Sequence, residues 1–462
     1  MSSEMIDNPQ YHQAFLSSPR PHLLMLTIHG IHQWDILPGL PDTGGQNVFV
    51  NQFSQALADL GFKITIVNRG GYTHPLTGEM RAGLHYKDGV QRILYLQDGL
   101  ERFVPKEDMG ERLPNLVACL EKEMEADPTQ VDLIISHYWD AGKVAESYRQ
   151  SLPHPVKHIW VPHSLGFIKK SNLSPEQWAK LKIDQRIDNE IELVGVVDGI
   201  GSTSSLIQRS LNDDYGYGGP LFWLPPCIDP GRFHPREIPP DHPIWDFLSQ
   251  HTPLSAAQVR DSKIITEISR TDRTKRKDIL IEAFGQIHQR FPKTLLVVSI
   301  DPSQVELSQQ LKGLIRGYHL EGHIAQVGSI WDELPFLYAV TDIYCTPSIM
   351  EGFGMSAQEA AATGVPVIAS SQVPFVKEYL LGQTVMEIPY PGVDEDPILI
   401  GQGGIMVPSD DVQGFSFALG YLLADDPLRK EMGRQAYDRT IPKFTWKRLV
   451  EAFLEQLSWK SS

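Results

Sequence analysis

Two glutamates with seven residues between them bracket a glycine-shaped turn in the stretch SIMEGFGMSAQEAAATGVPVIAS. Glu351 falls in the loop, and Gly352, Phe353 and Gly354 bend the chain into a helix expected from about Met355. That helix carries Glu359 and is ended by Gly364 and Pro366. A helix carboxylate suits a ribose, whose two hydroxyls both donate to it, and a loop carboxylate can accept from sugar hydroxyls. The bare N–H groups from Phe353 to Met355, Gly354 included, suit a sugar or a phosphate. A lone pair of glutamates at this spacing reads as solvated. The whole E-G-F-G…E-A…G-x-P context favours a ligand site.

A second set lies in ISRTDRTKRKD. Arg270 follows an expected strand, and Lys275 comes five residues later, before a helix. Arginine by planar bidentate contact and lysine as a point charge would together neutralise a diphosphate. Arg273, Arg276 and Lys277 of the same run read as solvated basic residues. In VPHSLGFIKK, His163 stands at the C-terminal edge of the apolar strand HIWV, ahead of Lys169 and Lys170. It is either a buried histidine satisfied by backbone or a residue of a ligand cleft. Arg102 and Lys106 in ERFVPKED, with Arg186 in a later helix, could form a cationic pocket for a phosphorylated ligand. Each alone reads as surface charge. Finally, GLPDTGGQNVF puts Gly44 and Gly45 in the loop that opens a helix. There a ligand can approach bare amides at the positive end of the helix dipole, or the glycines serve chain geometry alone.

These residues need a frame. In the first half, the strands HLLMLTIHG, KITIVNR, VQRILYL, VDLIISHY and VKHIWVPHS alternate with helical stretches such as NVFVNQFSQALADLG and LPNLVACLEKEMEA. The order is β-α-β, hence a parallel sheet covered on both faces. The proline-dense PPCIDPGRFHPREIPPDHP reads as an inter-domain linker. A second alternating series follows: KIITEISR, DILIEAFGQIHQRF, TLLVVSI, IAQVGSI, DIYCTPS and VPVIASS. The expected fold is α/β, two doubly wound Rossmann-like domains facing across a deep cleft between their strand C-termini. The expected boundaries are 1–228, 229–440 and a terminal amphipathic helix in 441–462.

Composition narrows the function classes. The chain has 462 residues, is 41% hydrophobic and carries a formal charge of −16, so nucleic acid and anionic membranes are poor partners. Cys119, Cys227 and Cys345 lie far apart and form neither a disulfide framework nor a zinc ribbon, which fits a reducing cytoplasm. The N-terminus lacks the apolar stretch of a signal peptide, and no run approaches ~18 apolar residues. The acidic run at Asp394–Asp396 lies in a Pro/Gly-rich loop and is discounted as a metal site. GQGG at Gly401–Gly404 opens no helix and is no dinucleotide fingerprint. No metal and no cofactor is expected.

Together the motifs resemble glycosyltransferase family 4 with the GT-B fold, and within it the sucrose-phosphate synthase group. The likeness covers nearly the whole chain: IHG…DTGGQNVFV, FVPKE, HSLG…K, the Arg…Lys pair and the two glutamates. It implies a retaining hexosyltransferase that moves glucose from UDP-glucose or ADP-glucose to fructose 6-phosphate, giving sucrose 6-phosphate. It implies that Gly45 offers backbone to the donor diphosphate, that Arg270 and Lys275 hold it, and that Glu351 with the amides of Phe353–Met355 holds the glucose. Glu359 would hold the ribose, and His163 would lie beside the reacting centre. Gly44 and Gln46 would face fructose, and Arg102, Lys106, Lys169 and Arg186 would bind the acceptor phosphate. The terminal helix would pack back on the first domain. Pro162 before the histidine, Cys227 in PPC and the loop RTDRTKRKD depart from the family pattern and leave the donor open between UDP-glucose and ADP-glucose. No phosphatase-like motif follows the terminal helix, which implies a separate sucrose-phosphate phosphatase. The rivals are a sucrose synthase-like enzyme, a family 4 transferase with a glycan or lipid acceptor, an epimerase of like architecture, and a non-catalytic sugar-nucleotide sensor.

Overall fold

The computed structural model describes residues 7–37, 40–170, 174–328, 330–389 and 396–459. It divides into two compact units: 1–225 with 449–462, and 226–448. Each is built on one eight-stranded sheet.

In the first unit the strands are β1 (His22–Leu26), β2 (Lys63–Arg69), β3 (Gly83–Tyr86), β4 (Gln91–Leu96), β5 (Leu133–His137), β6 (Lys157–Val161), β7 (Gly199–Ser202) and β8 (Leu221–Trp223). Their order is β3-β4-β2-β1-β5-β6-β7-β8, and only β3 runs antiparallel. The chain builds outward from β1 through β2 to β4 and then crosses over to β5. The switch point, where α/β sheets open a crevice at their carboxyl ends, therefore lies between β1 and β5. Every residue of β1, β2, β4 and β5 is buried, on both faces of the sheet, so their apolar centres do not alternate with exposed polar residues. One core layer packs Leu24, Leu26, Val67, Leu94 and Leu96 against Leu116, Leu120 and Val144 of the covering helices.

The terminal helix Trp446–Gln456 carries the chain back to this unit. Phe453 meets Phe53 and Phe222 edge-on at 5.8 and 5.4 Å, Trp459 lies 5.2 Å from Phe62, and Lys157 Nζ donates to Leu457 O at 3.2 Å. The amphipathic spacing of TWKRLVEAFLEQL gave that helix one apolar face; Leu449, Val450 and Phe453 are the residues it buries.

In the second unit the strands are β9 (Lys263–Glu267), β10 (Thr294–Ser299), β11 (Ile324–Val327), β12 (Ile343–Thr346), β13 (Val367–Ser370), β14 (Met386–Ile388), β15 (Ile398–Ile400) and β16 (Gly404–Val407). The order is β11-β10-β9-β12-β13-β16-β15-β14, parallel apart from β15, which is antiparallel to both neighbours. The switch point lies between β9 and β12. The β14–β15 hairpin edge was not foreseen, because its strands are three residues each and give no periodicity. Residues 226–243, nearly all of the stretch 225–243 that the sequence suggested as a linker, belong to this unit: Ile228 bridges to Thr445, Phe233 is buried beside Tyr338, and Ile238 packs against the core layer of Ile244, Trp245 and Leu248 with Val297 and Leu337. Their prolines removed the periodicity without removing the burial. Of the acidic run 394–396, Asp394 and Glu395 lie outside the described residues. Among the described residues no helix is long and apolar enough to cross a membrane, and no group of three His, Cys, Asp or Glu is placed to hold a metal.

Candidate functional site

In the first unit the crevice edge is crowded with chemistry. The helix Gly45–Asp59 starts behind Gly44, whose N–H donates to Asn47 Oδ1 at 3.0 Å and whose carbonyl accepts from Asn47 and Val48. The amides of Gly45 and Gln46 come before the first intrahelical bond and have no acceptor in the helix. Gly44 has extended backbone, and a Cβ added there would meet nothing within 4 Å, so neither packing nor conformation requires glycine. Gly30 differs: its φ is +74°, and a Cβ would stand 2.3 Å from Asp42 O. Gln46 Nε2 donates to Thr27 Oγ1 at 3.2 Å, just past β1.

His163 follows β6 with a left-handed φ of 55°. Its Nε2 and Nδ1 of His137, at the end of β5, share a hydrogen bond of 2.9 Å, and Phe49 closes on the ring at 4.9 Å. Burial pushes the imidazole down to about 3, so it is neutral at physiological pH. Beside it, Asp140 accepts from the backbone N–H of His29 at 3.1 Å and from His29 Nδ1 at 3.0 Å, tying β1 to the helix Tyr138–Ser151.

Next to this edge, Lys106, Glu107, Tyr138, Lys169, Lys182 and Arg186 line a small pocket whose apolar walls are Trp139, Leu181 and Ile183. The segments that meet there are the 3-10 turn Lys106–Arg112, the start of the helix after β5, the helix Gly166–Lys170 and the start of the helix Ile183–Val194. Asp42, Tyr138, His163 and Lys182 all take positive φ, strain of the kind that gathers at binding sites. Lys106 is paired with Asp42 and, at 3.2 Å, with Glu107. Lys182 is paired with Asp108 at 2.7 Å. Arg186 is buried; it holds Glu190 at 2.6 Å and donates to Tyr138 Oη and to the backbone oxygen of Ser164. Lys169 has the Tyr138 hydroxyl at 3.5 Å and no carboxylate. Desolvation, then the charges of Arg186 and Lys106, push its ammonium down to about 7.

The four cations suggested for one pocket therefore separate. Lys106, Lys169 and Arg186 converge; Arg102 is exposed and lies outside the lining. Lys170 faces away, paired with Asp184 at 2.9 Å. Sequence reasoning missed Lys182 and Tyr138. The lysine sits in a polar stretch with no motif, and the tyrosine reads as the end of a strand.

In the second unit the loops after β9 and β12 flank the switch point. The Ile349 N–H donates to Thr274 O at 2.8 Å, which clamps the two loops together. Lys275 Nζ lies 2.5 Å from Glu351 Oε1, with both groups largely sheltered. Arg270 is exposed and has no ion pair among the described residues. Gly354 caps the helix Met355–Ala362 at φ 107°, and a Cβ there would stand 2.6 Å from Val373 Cγ1, so this glycine is required. Phe353 is buried against Phe375, Tyr379 and Phe444 and offers only its backbone. Glu359 lies on the helix; burial raises its carboxyl to about 7 although the Arg232 guanidinium pulls the other way.

Of the basic residues read as solvated, only Arg273 fits, exposed and paired with Glu306. Arg276 is partly buried against Asp278 and Asp410. Lys277 is a correction: it is 2% exposed, with Nζ 2.9 Å from Glu267 and donating to Ser269 O and Ser299 O. Its neighbour at the helix start turns outward, and one step around the helix turns Lys277 into the core.

With this geometry in place, two family models match the chain: Glycosyltransferase Family 4 over residues 43–232 and Glycosyl transferases group 1 over residues 255–439. A mannosylfructose-phosphate synthase of Agrobacterium fabrum is 27% identical, over 76% of each chain. A D-inositol 3-phosphate glycosyltransferase of Corynebacterium jeikeium is 25% identical over 90% of this chain and 91% of its own. A solved sucrose-phosphate synthase of Thermosynechococcus elongatus superposes with a TM-score of 0.74 at 24% identity, over 95% of this chain and 98% of its own, a likeness of fold.

Proposed function

We propose, for a chain that belongs to the glycosyltransferases joining a family 4 domain to a group 1 domain, that it transfers a hexosyl residue from a nucleoside diphosphate sugar to a phosphorylated sugar. The observation that carries the acceptor side is the pocket of Lys106, Lys169, Lys182 and Arg186 at the sheet edge. Such a set fits a phosphate ester. The names of the three relatives support this, since each carries a phosphate: mannosylfructose-phosphate, inositol 3-phosphate and sucrose-phosphate. In its specific form the reading is glucose from UDP-glucose or ADP-glucose to fructose 6-phosphate, giving sucrose 6-phosphate with retention. Two of the three names are disaccharide phosphates, which favours a ketose phosphate acceptor; inositol 3-phosphate is the second acceptor to test.

On the donor side, Arg270 and Lys275 receive the diphosphate and the amides of Phe353–Met355 the hexose. Lys275 is paired with Glu351 in the free protein. A bound donor replaces that pairing: the ammonium turns to the diphosphate, and the carboxylate accepts from hexose hydroxyls. As the glycosidic bond breaks, charge grows on the leaving diphosphate, and preoriented cations stabilise it. Its oxygen takes the proton of the attacking acceptor hydroxyl on the same face. Gly44, which the fold itself does not require, keeps the approach to the amides of Gly45 and Gln46 open. His163, kept neutral by burial, offers a hydrogen-bonding group and no charge.

The test is product identification from UDP-glucose and ADP-glucose with fructose 6-phosphate, fructose, inositol 3-phosphate and inositol. Transfer to a phosphorylated acceptor and not to its unphosphorylated form supports the reading. Equal use of fructose and fructose 6-phosphate overturns it in favour of a sucrose synthase-like enzyme. UDP binding without turnover on any acceptor points to a sensor.

A further inference from the structure

The strand β1 ends at Leu26, and just beyond it His29 stands at the crevice edge of the first unit, nearly buried. Asp140, in the first turn of the helix Tyr138–Ser151, is fully buried and turns both oxygens to this one residue. It accepts from the His29 backbone N–H at 3.1 Å and from Nδ1 at 3.0 and 3.2 Å. Burying a carboxylate is costly unless it is hydrogen-bonded, and these bonds offset that cost. A carboxylate only accepts, so Nδ1 carries a proton, and in the neutral ring Nε2 is left as a bare acceptor. Nε2 is accessible to solvent and has no hydrogen-bond partner among the described residues. The ring is held from other sides as well. Gly30, required by its φ of +74° and its approach to Asp42 O, turns the chain directly after it, and the Tyr138 ring packs edge-on at 4.6 Å. Tyr138 also lines the cationic pocket, so one side chain is shared by that pocket and this imidazole. His163 at the same edge has no such anchor. It bonds to His137, another imidazole, which can donate or accept, so that contact leaves its tautomer unset.

Resting on the acceptor reading above, we propose that His29 Nε2 accepts a hydrogen bond from a hydroxyl flanking the one that attacks, and that Asp140 is the positioning residue that keeps this nitrogen an acceptor. The attacking hydroxyl has a single proton, which goes to the leaving diphosphate oxygen; the bond to His29 is made by its neighbour, and no proton leaves that neighbour. The surrounding chemistry calls for such a group. Lys106, Lys169, Lys182 and Arg186 offer only donors, as do the amides of Gly45 and Gln46, so they read sugar and phosphate oxygens as acceptors. The carboxylates nearby, Asp42 and Glu107, are occupied by Lys106. A sugar hydroxyl must also donate, and an imidazole of fixed tautomer receives that bond without adding charge. On a ketose phosphate the flanking hydroxyls are those on C1 and C3. Fixing one of them fixes the direction of the 2-hydroxyl between them, which is a gain in orientation for the transfer step.

The experiment is steady-state kinetics of the full chain with fructose 6-phosphate and its 1-deoxy and 3-deoxy analogues, in wild type, Asp140→Asn, His29→Gln and His29→Phe, with urea midpoints measured alongside. Asparagine at 140 keeps an oxygen for the His29 N–H and can turn its NH2 to Nδ1, which moves the ring proton to Nε2 and makes a donor of it at constant shape. With fructose 6-phosphate, kcat should fall about 10- to 100-fold in Asp140→Asn and His29→Phe, while KM, set by the phosphate pocket, stays within a few-fold. His29→Gln, whose Oε1 can stand in for Nε2, should recover most of the loss. One deoxy analogue should be a poor acceptor for wild type and lose nothing further in His29→Phe. Because the analogues are compared within one variant, a general loss of stability does not mimic that pattern. Asp140→Asn turning over within a few-fold of wild type, or His29→Phe losing equally on all three acceptors, would overturn this inference and leave the acceptor reading standing. If wild type transfers to no phosphorylated acceptor, the acceptor reading falls, and this inference with it.

Discussion

The two units solve one problem, holding an anionic ligand at a sheet edge, in opposite ways. In the first, four cations arrive on separate segments, and three are locked by carboxylates before a ligand comes. In the second, one stretch, 348–363, supplies the loop carboxylate, the shaping glycine and the helix. One cation, Lys275, is held by a carboxylate of that same site, and another, Arg270, is unpaired. The first site is fixed in advance, so its positions should matter for stability as much as for binding. The second keeps cations that can be redirected, so its positions should matter for rate.

The comparison breaks most easily at Arg186. Arg186→Leu leaves Glu190 buried without a counter-charge, and stripping one partner from such a pair costs about 3–5 kcal/mol. A lower midpoint in urea should read this loss, and an unchanged midpoint would remove the argument that the first site is structural. Next come Arg270→Ala and Lys275→Ala. Each should lower kcat by about 10²–10³ with little effect on the urea midpoint; turnover within a few-fold of wild type would contradict the donor reading.

Smaller is the pH dependence of donor binding. Burial raises the Glu359 carboxyl to about 7 in the folded protein. A ribose needs the carboxylate as acceptor, so donor affinity should rise as pH passes upward through 7, by up to about tenfold per unit below it. The same raised value means folding favours the protonated form, so this group's stabilising contribution is present at low pH and lost as pH rises through 7. The smallest effect is expected at Lys182→Ala. Its pair with Asp108 is solvent-exposed and contributes about 0–1 kcal/mol, so only a few-fold rise in acceptor KM should appear in steady-state kinetics.

Legibility in the sequence followed contiguity. Glu351, Gly354 and Glu359 are neighbours in the chain, so residue type and spacing revealed them together. Lys106, Lys169 and Arg186 could be suspected one at a time, but nothing in their local sequence shows that they meet or that Arg102 stays outside. Lys277 shows the same limit. A basic run reads as solvated, yet a buried Glu267 at the end of β9 draws in that one lysine. The proline-rich 225–243 stretch was read as a linker because proline breaks hydrogen-bond periodicity, whereas burial of Cys227, Ile228 and Phe233 depends only on apolar surface.

By itself the sequence determined the alternation of strands and helices, the doubly wound class and the backbone shape around Gly354, since these follow from apolar period and from what a single residue's φ allows. Only the tertiary structure decided which charges are already matched. Ion pairing depends on distances of a few ångströms between residues far apart in the chain, and it is that matching which leaves Lys169 and Arg270 open while Lys106, Lys182 and Arg186 are closed.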